Sequence, residues 1–141
     1  FNSAVEVARP IISVPLLQID RPMMDLAVKE GKRIGLLATL PSTVPASERL
    51  LQQAAAEAKK DIEITTVLNA EAFQVLRAGD PEKHNEMLLE DIERLSKSVD
   101  AIVMAQVSMS VLEPYLTDVK VPVFNSGRTG LQRAREILET L

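Results

Sequence analysis

The chain contains no cysteine. That absence excludes a disulfide scaffold, a cysteine-containing zinc site and thiol catalysis by this chain's own residues. Histidine occurs once, as His84. Positive charge is not in excess: 16 Lys and Arg stand against 20 Asp and Glu, for a net charge of −4. The basic residues are scattered and interleaved with acids, so the footprint of a nucleic-acid surface is missing. No apolar stretch approaches the ~20 residues of a membrane span, and no basic segment leads into an apolar one at the N-terminus. A soluble cytoplasmic protein is the expected class. Several motifs are also lacking: there is no P-loop, no G-x-G-x-x-G after a strand, no H-E-x-x-H and no G-x-S-x-G elbow.

What is present is one domain's worth of chain, 141 residues, long enough to bury a core without disulfides or metal. Residues 33–49 (RIGLLATLPSTVPASER) organise it. An apolar run breaks at 39–43 and resumes with helical periodicity from Pro45, which reads as a buried strand, a hydroxyl-rich turn and a helix start. Before it, small and apolar residues at 2–8 suggest a helix stopped by Pro10, and residues 11–19 (IISVPLLQI) read as a strand, with Pro15 favouring an edge or the strand's start. Asp20 is a candidate N-cap for a helix that Gly31 closes. After it come a helix to Lys59, a strand at 62–68, a short helix at 70–78 and a longer one from Pro81 to about Val99. A strand at 101–107, a short helix at 109–116, a strand at 120–124, a polar turn at 125–130 and a helix at 131–141 complete the chain. A helix followed by five strands, each leading into a helix, implies an α/β fold: a flavodoxin-like parallel sheet with helices on both faces.

In such a sheet the turns leaving the carboxyl ends of strands are where ligands sit, and a helix N-terminus there favours an anion. Thr39, Ser42 and Thr43 leave one strand, Asn69 the next and Gln106 with Ser108 a third; Asn125, Ser126 and Arg128 follow the last. These are neutral donors with one nearby cation, suited to a carboxylate without metal or cofactor. Against that stands an ordinary role for Ser42 or Thr43 as a helix cap. No general base is evident at a strand end. His84 reads as a structural residue on a helix face, and the acids of 82–93 as a solvated face rather than a metal cluster.

Four segments together, in order and over nearly the whole chain, resemble the aspartate/glutamate/hydantoin racemase superfamily. They are residues 14–43 (VPLLQIDRPMMDLAVKEGKRIGLLATLPST), 68–84 (LNAEAFQVLRAGDPEKH), 101–114 (AIVMAQVSMSVLEP) and 121–134 (VPVFNSGRTGLQRA). Enzymes of that superfamily resemble pairs of similar α/β subdomains that hold a substrate carboxylate between them. The better-known members place a cysteine from each on the two faces of an α-carbon, without cofactor. The resemblance implies that Thr39, Ser42 and Thr43 form the carboxylate-holding turn of the second subdomain, and that the strand ending at Gln106 corresponds to the one carrying the second cysteine. Residues 105–107 hold none, and neither does Asn69. The segment for the first cysteine would precede Phe1, so the expectation is the C-terminal portion of a longer two-subdomain protein. It is expected to bind a small carboxylate or amino acid and not to invert it alone; the alternative is a non-catalytic domain for a small carboxylate or phosphate. Apolar area left uncovered by a missing half would favour homo-oligomerisation.

Overall fold

The computed structural model describes residues 2–141; Phe1, which the sequence places inside a helix, lies outside the described residues. Helix α1 (Asn2–Ala8) leads through a 3-10 turn and an irregular stretch to α2 (Arg21–Glu30). Then come β1 (Arg33–Ala38), α3 (Val44–Glu57), β2 (Glu63–Leu68), α4 (Ala70–Arg77), α5 (Pro81–Ser96), β3 (Ala101–Met104), β4 (Val123–Asn125) and α6 (Ser126–Leu138). The strands form one parallel sheet of four in the order β2-β1-β3-β4.

Strand β1 lies inside the sheet and explains why its sequence does not alternate. Side chains of a strand point to opposite faces in turn, and both faces are covered. Ile34, Leu36 and Ala38 join Ala101 and Val103 of β3 in a cluster with Met24, Val28, Leu51 and Ala54 of α2 and α3. Leu37 joins Ile102 and Met104 in a second cluster with Leu88, Ile92 and Leu95 of α5. Helix α6 packs beside α2. The helices therefore cover both sides of a parallel sheet, and the expected α/β, flavodoxin-like class holds.

Several local expectations do not hold. Residues 11–19 form no strand: Arg9–Ile11 is a 3-10 turn and the rest is irregular. Ile11, Val14 and Ile19 are exposed, and the β-branched pattern there pairs with no strand of the sheet. Asp20 makes no side-chain cap. Gly31 does close α2 as its C-cap, but in extended backbone at φ −180°, where a Cβ would lie 2.4 Å from the Cβ of Asp100. The polar stretch 125–130 is not a turn but the N-cap and first turns of α6. The stretch after β3 winds as a 3-10 helix, Val107–Tyr115, rather than an α-helix.

Asp100 fastens the start of the sheet. Its carboxylate accepts from the backbone N–H groups of Lys32 and Arg33 at 3.0 and 2.9 Å and pairs with the Arg33 guanidinium at 2.6 Å. The Arg33 side-chain bond, aided by these backbone donors, holds the Asp100 carboxyl down at about 2. A carboxyl depressed in the folded state adds stability above its unfolded value of about 3.9 and loses it as pH falls toward the folded value. Asp100→Asn is thus expected to flatten the loss of stability between about pH 4 and pH 2. Urea midpoints across that range check this, and identical pH profiles for the two proteins would refute it.

Candidate functional site

The sheet order contains a reversal. The chain moves outward from β1 to β2, then crosses back to the other side of β1 for β3 and onward to β4. The carboxyl ends of β1 and β3 therefore flank the switch point, the position where open parallel sheets bind ligands. Thr39 follows β1 and Gln106 lies just beyond β3. The two are joined twice: the Thr39 backbone N–H donates to Gln106 Oε1 at 3.0 Å, and Gln106 Nε2 donates to Thr39 Oγ1 at 2.9 Å. The backbone donor fixes the orientation of the Gln106 amide. Because Thr39 Oγ1 accepts, its hydroxyl proton remains available, as does the second proton on Gln106 Nε2.

The outer strands end in a repeated device. Asn69, after β2, caps α4 by accepting from Ala72 N–H at 3.0 Å, and its Nδ2 donates to Asp91 of α5 at 2.6 Å. Asn125, the last residue of β4, caps α6 by accepting from Arg128 N–H at 2.9 Å, and its Nδ2 donates to Glu113. Read across the sheet, the strand ends carry Asn69, Thr39, Gln106 and Asn125 in order. Each asparagine is committed to a helix cap and a carboxylate, whereas the central pair keeps free protons.

Ser42 and Thr43 lie in a 3-10 turn, Pro41–Thr43, before α3, and Thr43 makes no side-chain cap. The capping role is therefore absent at Thr43; the Thr43 and Val44 N–H groups are taken by the carbonyls of Leu40 and Pro41, Pro45 has none to offer, and Ser42 is exposed beside this helix start. A helix N-terminus without a side-chain acceptor carries the partial positive charge of its free N–H groups. Ser108 is exposed in the 3-10 segment after Gln106. The structure thus brings Thr39 and Gln106 into contact, sets Ser42 and Thr43 at the start of the helix that follows Thr39, and ties Asn69 to structural partners.

Sequence reasoning missed the two carboxylates. Asp91, which the sequence pattern puts on a solvated face, is buried, with one oxygen held by Asn69 and the other by Arg94 at 2.8 Å. Glu113 was assigned no role. The asparagines at both strand ends were the available signal, since an Asn that caps a helix has an amide left to give. His84 is buried and its Nδ1 lies 2.9 Å from Asn85 Oδ1, a structural placement. Among the described residues no group of three His, Cys, Asp or Glu could hold a metal, no helix is long and apolar enough to cross a membrane, and the Ser126 hydroxyl at the start of α6 is buried without a partner. A groove of about 470 Å³ between α2 and α6 is lined by Arg9, Arg21, Lys29 and Arg133 among others and by none of the strand-end residues. Its cations are largely spoken for: Arg9 pairs with Glu6, Arg133 with Glu136, and Arg21 with both Asp25 and Glu57.

A family model described as Asp/Glu/Hydantoin racemase matches residues 2–134. No curated protein matches the chain. Among solved structures, the glutamate racemase isoform RacE1 from Bacillus anthracis is similar, with a TM-score of 0.65 at 16% sequence identity. The match covers 96% of this chain and 53% of that one, so the chain spans about half the length of the racemase it resembles.

Proposed function

From the premise that the chain belongs to the Asp/Glu/hydantoin racemase family, we propose that its strand ends hold the carboxylate of a small amino acid or related acid for cofactor-independent proton transfer at an α-carbon. The observation that carries this reading is the Thr39–Gln106 bridge at the switch point, two residues before the turn that opens an uncapped α3. Thr39 Oγ1–H, the second Gln106 N–H and the Ser42 hydroxyl are donors of one kind at the carboxyl ends of β1 and β3 and in the turn that follows β1. Such donors favour an anion, and their neutral character suits a carboxylate's single charge. Thr43 supports the turn and Ser108 extends the polar rim beyond Gln106. Asn69 contributes by fixing the edge of the sheet.

Inversion needs one group to remove the α-proton and another to return one from the opposite face. This chain has no thiol to offer, so the 141 residues supply the holding half of the reaction and leave inversion to residues they do not contain. The lack of thiols is also what favours a second reading, a non-catalytic domain that binds a small carboxylate or phosphate. In either reading the ligand is a soluble metabolite of the cytoplasm.

Calorimetric titration with aspartate, glutamate and inorganic phosphate tests the proposal. The expected result is saturable binding of an amino acid with phosphate weaker. Preferential binding of phosphate, or no binding of either amino acid, would defeat it. Loss of α-hydrogen to deuterated solvent at an enzymic rate, with the purified chain alone, would defeat the division of labour.

A further inference from the structure

Glu113 stands out among the acids near the strand ends. It sits in the 3-10 segment Val107–Tyr115, which directly follows Gln106, and one carboxylate oxygen accepts from Asn125 Nδ2 at the end of β4. Asn125 is buried and held in turn by its cap on α6. Glu113 forms no salt bridge among the described residues, and its second oxygen accepts no hydrogen bond there, although Arg128 begins the same helix. Asp91 differs: both of its oxygens are taken, one by a cation. The fold therefore leaves one anchored, partly exposed negative charge beside the strand next to Gln106.

We propose that Glu113 is the residue that recognises the ammonium group of the ligand, and so selects α-amino acids over carboxylates that lack one. This rests on the carboxylate-holding role of the Thr39–Gln106 pair. Strands β3 and β4 are neighbours, a separation of about 4.8 Å, and an α-amino acid carries its two charges on adjacent atoms of one carbon. In this proposal the ligand's carboxylate meets the donors at the ends of β1 and β3 and its ammonium lies on the β4 side, where Glu113 is held by Asn125. The alternative role for Glu113 is a strut that props the N-terminus of α6, to which an acid is suited by the helix dipole. The strut predicts an effect on stability alone.

Aspartate and succinate share a carbon skeleton and differ by the amino group, so their affinities, measured by calorimetry on the full chain, isolate its recognition. Wild type is expected to bind aspartate about tenfold to a hundredfold more tightly than succinate or N-acetylaspartate, the range for a hydrogen bond to a charged group. Glu113→Gln retains an acceptor for Asn125 while removing the charge. It is expected to lose that preference by weakening aspartate and leaving succinate unchanged. Equal affinity of the wild type for aspartate and succinate overturns the inference without any variant, as does a Glu113→Gln protein that keeps the full preference. Both of those outcomes leave carboxylate binding intact. Failure of every carboxylate to bind removes the holding role, and this inference with it.

Discussion

Leu36→Ala is expected to lower the free energy of unfolding by about 2–5 kcal/mol, the range for truncating a fully buried leucine. Leu36 has no exposed surface and sits in the interior strand, opposite Thr66 of β2 and Val103 of β3. Its cluster joins the sheet to α2 and α3, so the cavity would open where two helices and three strands meet. These elements are closely packed and cannot collapse into the gap without moving the turn at 39–43 that β1 positions. Guanidinium unfolding of both proteins measures the effect; a loss below about 1 kcal/mol would mean that the site readily relaxes.

Asn69→Ala is expected to cost about 2.5–4 kcal/mol, from two losses at one residue. The α4 cap contributes about 1 kcal/mol, and the charge-assisted bond to Asp91 about 1.5–3 kcal/mol. Asp91 is buried and would keep only Arg94, itself largely solvent-exposed. Asn69→Asp separates the two contributions: it preserves the cap acceptor but sets a second carboxylate against Asp91. That variant should be at least as unstable as Asn69→Ala near neutral pH and should recover as one carboxylate is protonated. An Asn69→Ala protein as stable as wild type would show that Asp91 finds another donor at no cost.

The central elements were legible in the chain because local pattern and tertiary burial agree there. The apolar run of β1, the helical spacing of Leu50, Leu51 and Ala54, and the start of β3 at Ala101 lie where the pattern puts them, although β3 ends at Met104 rather than at 107. Residues 11–19 were not legible for a physical reason. Ile11, Ile12, Val14 and Ile19 have strand-forming side chains, but a strand exists only by pairing, and this segment pairs with neither edge strand of the sheet. The helix start at Ser126 was hidden by two glycines and a run of polar residues, and was revealed by the cap from Asn125.

For the candidate site, the sequence placed Thr39 and Gln106 at the ends of separate strands but could not place them side by side. Their bond spans 67 positions and depends on β3 pairing with β1. Asp91 and Glu113 were further from reach, since each is brought to a strand end by an asparagine amide contributed by another element. The same amides commit the outer strand ends to helix caps and carboxylates, whereas the central pair keeps free protons.

The most direct measurement is the change in amide resonances as aspartate is titrated into isotopically labelled protein. The account predicts shifts at the Thr39 backbone N–H, the Gln106 side-chain amide and the backbone N–H groups of Ser42, Ala46 and Ser47. Shifts confined to the groove lined by Arg9, Arg21, Lys29 and Arg133, with the Thr39–Gln106 pair unmoved, would contradict it.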